Sequence, residues 1–315
     1  MKAIRKAASK FSKLAATPIS WKETGLLQQT LVSKVSRSGI SLHSGAHTTA
    51  TICPARAGEG RLFVCGGHKI PASVDFVSES SLCTTLCRDG VIVRTVEHLL
   101  SALEVVGVDN CRIELTGGNE VPLLDGSAKE WVQAIEEVGL CIAEDENGNN
   151  IDKKAPFVLE PVHLWKHDSF LAAFPSSSVN ITYGIDFPQV SAIGCQWFSC
   201  FSLDRSVYTK EIAPSRTFCI YEEVERLRGA GLIQGGSAEN AIVCSSTMGW
   251  LNPPLLFDDE PCRHKVLDLI GDLSLLAQDG HQGFPVGHII AYKGGHSLHT
   301  QLLRLLSASR WRDQS

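Results

Sequence analysis

Two periods of apolar residues alternate along the chain, one near two and one near 3.6, and together they divide it into similar halves. Between Gly39 and Gly117, short apolar runs broken by Gly, Pro and Asp predict strands, among them Thr48 to Ile52, Arg61 to Cys65 and Cys111 to Leu115. Val96, Leu99, Leu100 and Leu103 recur at helical spacing, which predicts a helix through Val105 capped by Thr95. Ser127-Ala128-Lys129-Glu130 has capping-box spacing and introduces a second helix that presents Trp131, Val132, Ile135 and Val138 to a core and stops at Gly139.

The second half repeats the style. Strands are expected from Phe157 to Phe187 and from Gln196 to Leu203, then a helix from Tyr221 to Arg228 and a strand around Ala241 to Cys244. A long amphipathic helix follows, roughly Cys262 to Gln278, with Val266, Leu269, Ile270, Leu273 and Leu276 on its buried face. A strand from Gly287 to Lys293 and a closing helix from Ser297 complete the chain. Residues 144–155 begin with EDENGNNIDK, almost without apolar side chains, and are expected to be a linker between an N-terminal domain at 25–143 and a C-terminal domain at 156–310. Each half then places strands before helices, an α+β organisation in which a sheet is layered against helices.

A length of 315 residues with 43% hydrophobic positions suffices for about two such cores. No stretch of about twenty apolar residues occurs, so no membrane-spanning helix is expected, and a substrate bearing a lipid would be met from the aqueous side. The formal charge of −5 carries no basic stripe that would neutralise phosphates, which excludes a general nucleic-acid binder. Eleven cysteines without a Cys-x-x-Cys pair read as reduced thiols filling core positions. Residues 1–22 differ from the rest: Lys2, Arg5, Lys6, Lys10, Lys13 and Lys22 are basic, Ser and Ala are frequent, and no acid precedes Glu23. That composition predicts an organelle transit peptide, mitochondrial rather than plastid, with a solvated basic tail as the alternative.

Four segments carry candidate chemistry. At about 100° per residue, His264, Asp268 and Asp272 share one stripe of a helix, and a His and a carboxylate one turn apart can ligate one metal ion. The same spacing also serves an ion-paired helix face. Glu97-His98 opens a helix whose other face is apolar, which suits a general base beside a ligand, or an ordinary acidic first turn. Lys293-Gly294-Gly295-His296 ends a strand and delivers a histidine at a helix mouth, either a close approach to a ligand or a plain turn. Thr217, in Pro214-Ser215-Arg216-Thr217-Phe218, can donate to an oxyanion or cap the next helix.

Taken in order, Leu42-His43-Ser44-Gly45, Thr95-Val96-Glu97-His98-Leu99, Asp125-Gly126-Ser127-Ala128, Ser215-Arg216-Thr217-Phe218, His264-Lys265 with Asp268 and Asp272, and Tyr292-Lys293 with Gly295-His296 resemble the UDP-3-O-acyl-N-acetylglucosamine deacetylases over about residues 25 to 308. The resemblance implies a zinc-dependent amide hydrolase of lipid A synthesis with its site at the domain interface. The metal, zinc or iron in such a ligand set, would be held by His98, His264 and Asp268. Glu97 would be the base towards water, His296 the acid towards the leaving amine with Asp272 orienting it, and Thr217 a donor to the oxyanion. Lys265 and Lys293 would meet hydroxyl or phosphate oxygens, and His43, Phe187 and Phe218 would lie against the substrate, His43 and Phe187 towards its nucleotide. Residues 219–244 would form the acyl passage, with Val224, Leu227, Leu232 and Ile233 as walls. Cys219 stands where the family usually has glycine, and Leu42 follows Ser41 rather than glycine. The implied partner is one nucleotide sugar carrying an acyl chain, met by a monomer. Two rival readings remain at this stage: a metal hydrolase acting on another acylated sugar, and a non-catalytic metal-binding scaffold.

Overall fold

The computed structural model describes residues 18–79 and 82–307. Along the first half run β1 (Ile19–Leu27), β2 (Gln29–Leu31), β3 (Val35–Ile40), β4 (His47–Pro54), β5 (Arg61–Cys65), β6 (His68–Pro71), β7 (Val77–Ser78), β8 (Thr85–Arg88), β9 (Val91–Arg94), α1 (Glu97–Val106), β10 (Cys111–Thr116), α2 (Lys129–Val138) and β11 (Leu140–Ile142). The second half contains β12 (Asp152–Val158), β13 (Val162–Lys166), β14 (Ser169–Phe174), β15 (Asn180–Phe187), β16 (Gly194–Cys200), β17 (Phe218–Ile220), α3 (Tyr221–Gly229), β18 (Ile242–Ser245), β19 (Gly249–Trp250), α4 (Glu260–Leu273), β20 (His288–Tyr292) and α5 (His296–Ser307).

Each half is built on a five-stranded sheet, ordered β3-β4-β10-β5-β6 in the first and β13-β14-β20-β15-β16 in the second. In both, the middle place is taken by the strand that follows the long helix, and that strand is parallel to its neighbour on one side and antiparallel on the other. A parallel pair needs a crossover, which α1 and α4 supply. In both, a three-stranded sheet is inserted between the fourth strand and the long helix, β7-β8-β9 in one half and β17-β18-β19 in the other. The halves therefore share one α+β topology, and α1 and α4 are its equivalent helices.

Those two helices meet. α1 is buried on nearly every side, from Glu97 to Glu104, rather than on one apolar face alone. Gly271 of α4 lies so close to α1 that a methyl group there would meet the Glu97 carbonyl oxygen at 2.0 Å. Helix backbones approach this closely only where one residue has no side chain. The contact brings the two-residue acid and imidazole of α1 against the His-x-x-x-Asp turn of α4.

Several local expectations are corrected. Residues 1–17 of the expected leader lie outside the described residues, as does the end of the C-terminal domain beyond Ser307. The last residues of the expected leader, Ile19 to Lys22, are part of β1 and pair with Val158 to Ala155 of β12. The linker expected at 144–155 closes into that same strand pair, because Ile19, Ala155 and Val158 are buried apolar residues and the Lys153 ammonium reaches the buried Asp109 carboxylate at 2.6 Å. Thr95 is not a helix cap. It takes a positive φ of 55°, and its hydroxyl donates to the buried Glu120 carboxylate at 2.8 Å, which leaves Val96 at the cap without a side-chain bond. Helix α4 begins at Glu260 and ends at Leu273, with a 3-10 turn over Ser274–Leu276 taking up the rest of the expected length.

Candidate active site

Asp268 is the hub of the site where α1 meets α4. Its Oδ1 stands 3.5 Å from His98 Nε2 and 3.4 Å from His264 Nε2, and the three side chains are buried. The His264 ring is fixed by its other nitrogen, since Nδ1–H donates to the Ser215 carbonyl at 3.0 Å. A neutral imidazole protonated at Nδ1 turns a bare lone pair from Nε2 towards Asp268. Burial above all pushes the His264 pKa down to about 3, against the pull of Asp268, so the ring is neutral. Burial alone would raise the Asp268 pKa, but the Lys265 ammonium above all holds it well below the usual carboxylate range, so the carboxylate is ionised. Its Oδ2 accepts from the Lys265 ammonium at 2.8 Å, while Oδ1 is buried without a hydrogen-bond partner among the described residues.

A buried anionic oxygen facing the His264 lone pair, with the His98 ring nitrogen no nearer than 3.5 Å, is unfavourable for a protein alone. The deficit disappears if one divalent cation sits among the three atoms, and two imidazoles with one carboxylate are the donor set of open catalytic zinc sites. The residues present therefore fit a metal.

Two more groups face this cluster. Glu97, 2% exposed, accepts from the Thr84 backbone N–H at 3.0 Å, and burial pushes its carboxyl up to about 8. His296 Nε2 lies 3.8 Å from Glu97 Oε1 and 4.0 Å from Asp268 Oδ2. Burial alone would lower the His296 pKa, but Asp272, whose Oδ2 accepts from its Nδ1–H at 2.8 Å, raises it to about 10. Two titratable groups with opposed environments thus sit within one water's reach of His98, His264 and Asp268.

Among the described residues several cavities border this centre, one of them lined by Thr84 and His296, and two others are lined by residues singled out above. A cleft of about 350 Å³ is lined by Lys265, Lys293, Phe187 and Asp186. Lys293 donates there to Asp168 at 2.5 Å. Phe187 meets Phe218 edge to face, with ring centroids 5.6 Å apart, and the Lys265 ammonium stands 5.8 Å above the Phe218 ring. A second, apolar cavity of about 410 Å³ runs through the β17 to β19 insertion. Val224, Leu227 and Ile233 line it together with Thr217, Phe218, Cys219 and Leu42, whereas Leu232 does not. Thr217 is held at its mouth by backbone bonds, donating to Gly126 and accepting from Ile242, both at 2.8 Å. Gly126 allows this approach, since a side chain there would strike the Asn240 carbonyl at 2.1 Å.

His43 takes a different place from Phe187. It is not among the residues lining the cleft; its Nδ1 accepts from the Ile233 N–H at 3.5 Å, beside the apolar cavity. The Thr84 backbone and hydroxyl, the Ser215 carbonyl, and the buried His299 and Tyr183 were not singled out from the sequence. Only His299 left a readable trace there, three residues after His296 on one helix face.

A sequence profile of the UDP-3-O-acyl N-acetylglycosamine deacetylases (LpxC) matches residues 28–308. The chain belongs to that family. It is 55% identical over 305 residues to an Arabidopsis thaliana protein named "Probable UDP-3-O-acyl-N-acetylglucosamine deacetylase 1, mitochondrial", covering 95% of this chain and 94% of that one. Bacterial relatives are also similar: the UDP-3-O-acyl-N-acetylglucosamine deacetylases of Trichormus variabilis, at 47% over 287 residues with 89% and 98% coverage, and of Thermosynechococcus vestitus, at 46% over 287 residues with 90% and 95% coverage.

Proposed function

We propose that this deacetylase-family chain is a zinc-dependent amide hydrolase that removes the N-acetyl group from UDP-3-O-(3-hydroxyacyl)-N-acetylglucosamine, releasing acetate and the free amine, as in lipid A synthesis. The observation that carries the reading is the bare, buried Asp268 Oδ1 facing His98 and His264, with Glu97 and His296 beside it. A metal held by His98, His264 and Asp268 would supply Lewis acidity and lower the pKa of water there, a role open to Fe²⁺ as well as Zn²⁺.

The chain's own residues do the rest. Glu97, aimed by the Thr84 N–H, takes the proton of the attacking water, for which it must be ionised. The oxyanion that develops on the acetamide carbonyl oxygen is met by the Thr217 hydroxyl and the Lys265 ammonium, which stays fixed on Asp268 Oδ2. His296, protonated and held by Asp272, gives its Nε2 proton to the departing amine nitrogen. The cleft with Phe187, Lys265 and Lys293 suits a diphosphate and a stacked base, and the apolar cavity, which Phe218 lines, suits the acyl chain. His43, bonded to the Ile233 N–H beside that cavity, is assigned to the substrate's acylated end rather than to its nucleotide.

The plant relatives named mitochondrial, and the basic, acid-free residues 1–17, favour a mitochondrial location. Among the described residues no helix is long and apolar enough to cross a membrane.

The test is turnover of UDP-3-O-(3-hydroxyacyl)-N-acetylglucosamine of several acyl lengths by the zinc-loaded chain, with Glu97→Ala and His264→Ala beside it. Acetate release that collapses in both variants supports the assignment. A folded, metal-loaded protein that releases no acetate from any of them overturns it.

A further inference from the structure

Asp272 is shared by more than the histidine it was expected to orient. Its Oδ2 accepts from His296 Nδ1–H at 2.8 Å and from His299 Nδ1–H at 2.7 Å, and its Oδ1 accepts from the Thr84 hydroxyl. His299 is fully buried, and its far nitrogen, Nε2, accepts from the Tyr183 hydroxyl at 3.2 Å. Tyr183 is itself fully buried. With Tyr183 donating to Nε2, the neutral His299 ring must carry its proton on Nδ1, so it presents a donor and never an acceptor to Asp272. Burial, the main effect on its pKa, keeps that ring neutral.

A carboxylate can turn about its χ2 bond and swing both oxygens out of line with a donor. Here each oxygen is occupied from a different element, Thr84 from the segment before β8 and His299 from α5, so the rotation would break two buried hydrogen bonds. His299 and His296 are three residues apart on α5, one turn of a single helix face, and cannot move independently.

We infer that His299, backed by Tyr183, is a positioning residue: it clamps the Asp272 carboxylate in the orientation that holds the His296 ring with Nε2 facing Glu97 and Asp268. The inference rests on the reading of His296 as the proton donor. His299 touches neither substrate nor metal ligands in this arrangement, so its loss should act on the chemical step and not on binding.

The test compares His299→Leu with His299→Asn. The Asn side-chain amide N–H can stand where Nδ1–H stands, whereas Leu fills the space without a donor. Partners of this kind change activity by about 10- to 100-fold. The expected result is a fall of that size in kcat for His299→Leu with KM and bound zinc unchanged, and recovery of most of it in His299→Asn. Equal losses in both variants, or no loss in either, would overturn the proposal. A second arm needs no turnover: in protein labelled with ¹⁵N-histidine, the Nδ1–H of His296 should give a downfield proton resonance that shifts or broadens in His299→Leu and persists in His299→Asn. If the parent chain releases no acetate, the deacetylase reading fails, while a His296 resonance left unmoved by His299→Leu overturns the clamp on its own.

Discussion

Glu97 and His296 illustrate how a residue's chemistry is set by what surrounds it. Both are buried beside the same cluster, yet Glu97 is raised to about 8 chiefly by burial, while Asp272 overcomes burial to raise His296 to about 10. A general base works ionised, so activity rises with pH through the Glu97 value; a general acid works protonated, so activity falls as pH passes the His296 value. A dication beside Glu97 favours its anion and brings the rising limb below 8. The same dication disfavours the His296 cation, so the expected profile of kcat/KM is a bell whose alkaline limb lies below 10, and His296→Gln should abolish that limb while lowering kcat by about 10²- to 10⁴-fold. A pH profile of the parent and the variant, at saturating zinc, checks both statements; an alkaline limb that survives in His296→Gln would assign it to another group.

At the scale of elements, the decisive contact is α1 against α4. The proposed ligands His264 and Asp268 lie one turn apart on α4 and His98 on the first turn of α1, so their spacing depends on how closely the helices approach. Gly271→Ala places a methyl group against the Glu97 carbonyl and must force the helices apart. Overpacking of this kind costs about 1–3 kcal/mol. Because the displacement falls between His98 and Asp268, zinc affinity should fall along with the melting temperature. Calorimetric titration of zinc into the metal-free variant, beside thermal unfolding, reads both; an unchanged zinc affinity with a lowered melting temperature would show that the site tolerates the shift.

The same scale separates what was legible in the chain from what was not. The strands Arg61–Cys65 and Cys111–Thr116 and the helices opening at Glu97 and His296 follow from local apolar periodicity, which tertiary context reinforces. The strand β1 did not show, because its residues Ile19 to Leu27 are mostly half-exposed and mix charged with apolar side chains; only pairing with β12 makes it a strand. The cap at Thr95 misled for a related reason, since a buried carboxylate 25 residues away took its hydroxyl. Thr84 gave no signal, as its part is played by a backbone N–H and a hydroxyl that any strand-end threonine carries.

Across the whole molecule, the halves are joined by more than the site. Glu104 at the end of α1 accepts from Arg61 at 2.6 Å through one oxygen and from the backbone N–H groups of Gly283 and Phe284 through the other, at 3.0 and 2.7 Å. Arg61 and Glu104 are both almost fully buried. Removing one member of a buried pair leaves the other uncompensated, at about 3–5 kcal/mol. Glu104→Ala is expected to lose that much stability, read as the urea midpoint of unfolding, with the metal ligands untouched. A loss under 1 kcal/mol would show that water replaces the carboxylate.

The sequence by itself determined the α+β class, the alternation of strands and long helices in each half, and the identities of His98, His264, Asp268, Glu97 and His296 as candidates, because periodicity and helical spacing are local properties. Which of these side chains face one another was decided only by the tertiary structure. The meeting of α1 with α4 depends on the shared topology of two sheets and on the missing side chain of Gly271, and the fixed state of each titratable group depends on neighbours from remote segments: Ser215 on His264, Thr84 on Glu97, and His299 on Asp272. Burial and hydrogen-bond partners are properties of the folded whole, so no window of the chain contains them.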